Sequence, residues 1–132
     1  MSRQASSSRP VVLVVEDEPL VRMDAADVLE QAGFEVIEAA DARSAQEALE
    51  RRSDIGVLFT DVQMPGAMNG LDLAWLVHDR WPRIGLVITS GHLRPEQQGL
   101  PDGAVFIAKP YAEQAPTTII RTLLDDGQGP PD

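Results

Sequence analysis

Acidic, hydroxyl and basic residues follow four of the short apolar runs in this sequence. Glu16 and Asp17 come directly after VVLVV, Asp61 after VLFT, Ser90 after LVIT, and Lys109 after VFIA. If these runs are parallel strands of one sheet, their carboxyl ends lie at the edge where ligands bind in open α/β proteins. The sequence therefore predicts that these polar side chains converge on one site.

The residue types at this predicted site suit phosphoryl transfer to a carboxylate. Carboxylates that crowd together repel one another and need a cation, and oxygen-rich sites suit Mg²⁺. An Asp can act as a nucleophile that forms an acyl phosphate. A metal, an ammonium group and a hydroxyl group can then neutralise the phosphoryl oxygens. For Glu16 and Asp17 taken alone, capping of the next helix is the better interpretation.

Five predicted strands alternate with helical patterns and would position these residues. The strands cover residues 11–15, 34–38, 57–60, 86–89 and 104–108. Several lack a strict alternation of apolar and polar residues, which is typical of parallel strands covered on both faces. Right-handed crossovers then give a three-layer α/β domain.

Start and stop signals place the helices. Pro19 begins the first helix and Gly33 ends it, while Asp41 and Asn69 cap the second and third helices. The last helix can begin at Pro116. The first helix carries an apolar stripe at helical spacing, namely Val21, Ala25, Val28, Leu29 and Ala32.

The connection between strands four and five is rich in residues that break helices. They are Pro95, Gly99, Pro101 and Gly103. We expect a short or irregular fourth helix there.

Composition excludes some classes of partner. The net charge of −10 argues against nucleic acid and anionic membranes, because phosphates are bound mainly by Lys and Arg. No apolar run approaches the ~20 residues of a membrane span, and the absence of cysteine fits a reducing compartment, so we expect a cytoplasmic protein. Residues 1–9 and 127–132 are predicted to be flexible tails around one domain, residues 10–126.

Four separated motifs resemble those of a known family. Glu16-Asp17, Asp61 within FTDVQMPG, Ser90-Gly91 and Lys109-Pro110 are similar, in order and spacing, to the motifs of receiver domains in bacterial response regulators. The similarity spans roughly residues 11–125. It implies a flavodoxin-like, doubly wound sheet with strand order 2-1-3-4-5. It also implies a stand-alone, phosphorylation-dependent signalling switch rather than an enzyme acting on outside substrates.

The resemblance also implies a role for each acidic residue. Asp61 is similar to the phosphoacceptor. Asp17 and Asp61 are similar to direct ligands of Mg²⁺ or Mn²⁺, together with the backbone carbonyl of Gln63. Glu16 is expected to act through a metal-bound water.

Three further residues have implied roles on the other side of the site. Ser90 is similar to the hydroxyl residue that bonds the phosphoryl group, Lys109 to the cation that pairs with it, and Phe106 to the switch aromatic. The bond from Lys109 to Pro110 is expected to be cis. The implied partners are a histidine kinase or histidine phosphotransfer protein and a downstream protein target, and a homodimer stays open.

Two alternative functions remain at this level. The first is an interaction module that works without phosphorylation. The second is a phosphohydrolase that turns over on Asp61. Phosphatases of the haloacid dehalogenase type carry a second Asp two residues after the nucleophile as general acid, whereas this chain has Gln63.

Overall fold

Five parallel strands form one sheet in the computed structural model, which describes residues 9–91 and 99–127, with side chains as far as residue 125. The strands are β1 (Val11–Val15), β2 (Glu35–Ala39), β3 (Ile55–Asp61), β4 (Gly85–Ser90) and β5 (Val105–Ala108). They pair in the order β2-β1-β3-β4-β5, which confirms the strand order implied by the resemblance. Strand order reverses at β1, so a crevice opens at the carboxyl ends of β1 and β3.

The central strands are buried on both faces, as the unbroken apolar runs predict. All five side chains of β1 are at most 3% exposed. Because successive side chains of a strand point to opposite faces, Leu13 and Val15 enter one core cluster with Leu73. Val12 and Val14 enter the cluster on the other face. The sheet is therefore the middle layer of three.

Four helices cover the sheet within the described residues. They are α1 (Pro19–Gln31), α2 (Ala42–Arg51), α3 (Gly70–Arg80) and α4 (Ala115–Gly127). α1 begins at Pro19 as predicted, and Gly33 follows its end with a positive φ of 104°. α4 begins at Ala115, one residue before the predicted start. Pro116 is then the second helical residue, where its missing N–H also costs no intrahelical hydrogen bond.

The two predicted caps are confirmed. Asp41 accepts a hydrogen bond from the backbone N–H of Ser44 at 2.9 Å, and this bond lowers the pKa of the Asp41 carboxyl. Asn69 accepts one from the N–H of Asp72 at 2.9 Å, while the Asp72 carboxylate accepts from the N–H of Asn69 at 3.2 Å. This reciprocal pair satisfies two unpaired N–H groups at the start of α3.

The predicted apolar stripe of α1 is partly wrong. Leu29 is buried as expected, but Val21 is 37% exposed and Ala26 is buried in its place. Val21 borders a cavity of about 290 Å³ that Tyr111 of the chain after β5 also lines. Asp24, Ala25, Val28 and Leu29 of α1 line the same cavity, and Leu29 also enters the core cluster on this face of the sheet.

The predicted irregular fourth helix lies mainly in residues 92–98, outside the described residues. Where the description resumes, the carbonyl of Gly99 accepts a hydrogen bond from Trp75 Nε1 at 3.2 Å, and Leu100 is buried. The predicted tails also lie outside the described residues, except for their innermost positions. No helix in the described part of the chain is long and apolar enough to cross a membrane.

Candidate functional site

Three acidic side chains meet at the carboxyl ends of β1 and β3. Glu16 follows β1, Asp61 ends β3, and the two strands pair up to Val15 and Thr60. Glu16, Asp17 and Asp61 each offer one carboxylate oxygen, and these oxygens all lie within 4.8 Å of one another. Glu16 and Asp61 are buried, and Asp17 is half-buried. The structure thus brings together the acidic residues that the sequence singled out.

Lys109 reaches the same site from the end of β5. Its Nζ lies 3.4 Å from Asp61 Oδ2 and 3.4 Å from Glu16 Oε1. Its backbone N–H donates to the carbonyl of Ser90 at 3.0 Å, which fixes the chain beside β4. The bond to Pro110 is cis, as the resemblance implies.

Burial and charge shift the pKa values of this site in informative directions. Burial raises the pKa of the Glu16 carboxyl, and the charge of Asp61 raises it further, although the N–H of Glu18 and the ammonium of Lys109 oppose the change. Burial acts to lower the pKa of Lys109, but Asp61 and Glu16 outweigh it and the net pKa is raised. The ammonium therefore stays charged, and the site retains unbalanced negative charge.

The donor set fits a hard divalent cation. Asp61 Oδ1 is buried and accepts no hydrogen bond from the described residues, so a strong acceptor in a low-dielectric site lacks a partner. The neighbouring oxygens of Glu16 and Asp17 are of the type that Mg²⁺ prefers. Gln63 borders the same groove as Asp17. The individual ligand roles, including that of the Gln63 carbonyl, stay predictions.

Ser90 is the buried last residue of β4, one position beyond the pair formed by Asp61 and Thr89. Its hydroxyl donates to the side-chain Oε1 of Gln63 at 3.4 Å. Sequence reasoning considered the backbone carbonyl of Gln63 and the lack of an acidic side chain at this position, but it missed this contact. No periodic pattern encodes the direction of a side chain in a loop, so the sequence offered no signal for it.

Phe106 is half-buried on β5, where it pairs with Ile88 and packs against the core cluster on the α3 side of the sheet. Ordinary packing accounts for this position. The switch role of Phe106 stays a prediction.

Two further residues shape the site and were missed. Arg22 of α1 donates to the carbonyl of Glu16 at 2.9 Å. Gly70, the first residue of α3, donates through its N–H to the carbonyl of Val62 at 2.9 Å, and a Cβ on Gly70 would collide with the carbonyl of Asp61. Gly70 is the second glycine of the segment MPGAMNG, residues 64–70, and this glycine was the signal that the sequence offered. The spacing of the two glycines alone does not reveal the close approach to Asp61.

Comparisons with known proteins agree with one another. The family pattern of the response regulator receiver domain matches residues 12–121. The chain is 34% identical over 109 residues to the C4-dicarboxylate transport transcriptional regulatory protein DctD of Rhizobium meliloti, and 31% identical over 123 residues to the sensor kinase CckA of Brucella abortus. These alignments cover 80% and 90% of this chain but only 23% and 13% of those proteins.

Solved structures show the same similarity in three dimensions. A response regulator receiver protein from Sinorhizobium medicae superimposes with a TM-score of 0.84 at 25% identity, covering 92% of this chain and 98% of that one. The receiver domain of the hybrid histidine kinase CckA gives a TM-score of 0.73 at 31% identity, covering 86% of this chain and 98% of that one.

Proposed function

Because the chain belongs to the family of response regulator receiver domains, we propose that it accepts a phosphoryl group on Asp61 in a reaction that depends on Mg²⁺ or Mn²⁺. The family supports a phosphorylation-accepting role in signalling. The donor in our proposal is a histidine kinase or a histidine phosphotransfer protein. The alignment to a sensor kinase shows that such a module also occurs within that class of protein.

The observation that carries the proposal is the environment of the two Asp61 oxygens. Oδ2 lies 3.4 Å from the ammonium of Lys109, whereas Oδ1 is buried without a hydrogen bond from the described residues. One oxygen is therefore paired with an ammonium, and the other is a buried acceptor that a cation would satisfy. A carboxylate of this kind is suited to act as a nucleophile.

The transfer is chemically balanced with the residues present. An oxygen of Asp61 forms a bond to phosphorus while the bond from phosphorus to the donor imidazole nitrogen breaks, and that nitrogen keeps the electron pair and takes up a proton from water. In this proposal, Lys109 and the hydroxyl of Ser90 interact with the phosphoryl oxygens. When bound at the acidic residues, Mg²⁺ would neutralise part of the charge on those oxygens.

We also propose that the domain signals through contacts of α1 with another protein. Apolar side chains on α1 support this idea, because Leu20 is 79% exposed and Met23 is 56% exposed. The exchange would take place in the cytoplasm, which the absence of cysteine fits.

Mass spectrometry of the intact protein tests the proposal. Incubation with a small phosphodonor and Mg²⁺ should add one phosphoryl group to the wild type. The control variant Asp54→Asn should also gain one, because Asp54 lies at the other end of the sheet. Asp61→Asn should gain none, and chelation of the metal should suppress the reaction in the wild type.

Three results would contradict the proposal. Equal incorporation by Asp61→Asn would remove Asp61 as the acceptor. Many turnovers of a small phosphate ester per protein molecule would favour the phosphohydrolase instead. Partner binding that is unchanged by phosphorylation but lost in Asp61→Asn would favour the phosphorylation-independent interaction module.

A further inference from the structure

Arg22 connects α1 to the loop that carries two of the three acidic residues. Its Nη1 donates to the backbone carbonyl of Glu16 at 2.9 Å, and its Nε donates to Glu38 Oε1 at 3.1 Å. The Arg22 side chain is only 19% exposed, whereas Glu38 is 40% exposed, so the bond to the Glu16 carbonyl is the better shielded of the two. Because the donors of a guanidinium lie in one rigid plane, the two bonds fix the carbonyl in direction as well as in distance.

The peptide groups around Glu16 are thus attached to β2 on both sides. The N–H of Glu16 donates to the carbonyl of Ala39 at 3.1 Å, and the carbonyl of Glu16 is linked to Glu38 through Arg22. That carbonyl belongs to the same planar peptide unit as the N–H of Asp17. Holding the carbonyl therefore restricts the direction in which the side chain of Asp17 points.

Asp17 depends on this backbone support more than its neighbour does. Its carboxylate has no hydrogen bond or ion pair within the described residues. Glu16, by contrast, accepts from the N–H of Glu18 at 3.2 Å and contacts Lys109. No side-chain hydrogen bond from Glu18 caps the start of α1 either. Arg22 is thus the side chain, among those described, that anchors this loop through its backbone.

We propose that Arg22 is a positioning residue for the cation site. It orients the peptide between Glu16 and Asp17 so that the carboxylate of Asp17 faces Asp61, and one divalent cation can bind both. This inference rests on the proposed function, because it assumes that the acidic cluster binds a cation.

Removal of Arg22 distinguishes a positioning role from a purely electrostatic one, because the two predict opposite changes in the affinity for the cation. Loss of a positive charge near three carboxylates makes the site more negative, so electrostatics alone would tighten cation binding. Positioning predicts the reverse. Groups that orient metal ligands typically contribute ~10–100-fold to affinity, and we expect roughly 10-fold weaker Mn²⁺ binding in Arg22→Ala.

Electron paramagnetic resonance of free Mn²⁺ measures this affinity without any phosphorylation. The comparison uses wild type, Arg22→Ala, Arg22→Lys and Asp17→Asn, at a temperature where circular dichroism shows each to be folded. Arg52→Ala is the matched control, because Arg52 also binds two acidic side chains but at the amino end of the sheet. It should bind Mn²⁺ like the wild type.

Arg22→Lys keeps the charge but loses the planar fork, so we expect an affinity between those of Arg22→Ala and the wild type. This variant also decides the question if Arg22→Ala does not fold. Wild-type or tighter binding by Arg22→Ala, or wild-type binding by Arg22→Lys, would overturn the inference. If Asp17→Asn binds as tightly as the wild type, the proposed cation site itself fails, and the Arg22 inference fails with it.

Discussion

Two ion-pair clusters lie at opposite ends of the sheet, and each places one basic side chain between two carboxylates. At the carboxyl end, the Lys109 cluster consists of Lys109, Glu16 and Asp61, with both contacts at 3.4 Å. Its two acidic side chains are only 7% and 8% exposed. This cluster carries buried charge at contact distances longer than those of the best hydrogen-bonded ion pairs.

At the amino end, the Arg52 cluster consists of Arg52, Glu35 and Asp54. Arg52 lies 3.2 Å from Glu35 and 2.6 Å from Asp54, and these two side chains are 35% and 56% exposed. Arg52 donates to both oxygens of Asp54. The acidic groups of this cluster are therefore well paired and accessible to water.

The two clusters have equal formal charge, but the pKa of Glu16 and the pKa of Asp54 are shifted in opposite directions. Hydrogen bonds from Arg52 lower the pKa of Asp54, whereas burial raises the pKa of Glu16. Burial and imperfect pairing thus distinguish the Lys109 cluster, and such perturbed groups concentrate at functional sites. The composition of a charge cluster alone would not separate the two.

Replacement of the basic side chain should have its largest effect in the Lys109 cluster. In Lys109→Ala, two buried carboxylates lose their shared partner, so the unfolding free energy should fall by about 1–3 kcal/mol while the protein stays folded. The rate of phosphoryl incorporation from a small phosphodonor should fall roughly 100-fold, because the proposed function assigns Lys109 to neutralise the phosphoryl oxygens. Urea denaturation and intact-mass kinetics measure these effects, and a wild-type rate would exclude Lys109 from the assigned role.

The pH dependence of stability should differ between the clusters. The folded-state pKa of Glu16 is raised, so its stabilising contribution is complete below the unfolded value of about 4.3 and is lost as pH rises through the folded pKa. Without divalent cations, Glu16→Gln should therefore gain stability relative to the wild type as pH rises from about 4 to 7.

Asp54→Asn provides the control for this pH series. The pKa of Asp54 is lowered, so its contribution is complete above about 3.9 and is lost only as pH falls through the folded pKa. The stability difference from the wild type should therefore stay constant from about pH 5 to 7. Thermal unfolding measures both series, and a constant difference for Glu16→Gln would contradict the assigned effect of burial.

The smallest effect is expected for Arg52→Ala. Exposed ion pairs contribute up to about 1 kcal/mol, and salt screens them. The loss of unfolding free energy should therefore be smaller than that of Lys109→Ala and should shrink as the salt concentration is raised. Phosphoryl incorporation should match that of the wild type. A large, salt-independent loss of stability would show that the contrast between the clusters is wrong.

Local patterns in the sequence predicted much of the fold. Apolar runs predicted all five strands to within two residues at each end, because buried parallel strands need such runs. The capping residues Asp41 and Asn69 correctly predicted the starts of α2 and α3. The stripe of α1 was partly wrong, since the cavity beside Val21 depends on how distant elements pack.

The candidate site, like the fold, could be predicted from the sequence only in part. Its acidic residues and Lys109 could be predicted because each follows a strand, and strand ends share one edge of the sheet. The contacts of Arg22 with the Glu16 carbonyl, and of Gln63 with Ser90, join residues from separate loops and helices. Neither hydropathy nor residue spacing encodes contacts of this kind, so they required the three-dimensional structure.

The close approach of Gly70 to the carbonyl of Asp61 limits which substitutions the protein tolerates. A single added methyl group there would occupy space now filled by the main chain of Asp61. Sensitivity to mutation should therefore extend to a residue with neither charge nor polar side chain. A survey of variants that examined only titratable groups would overlook this steric requirement.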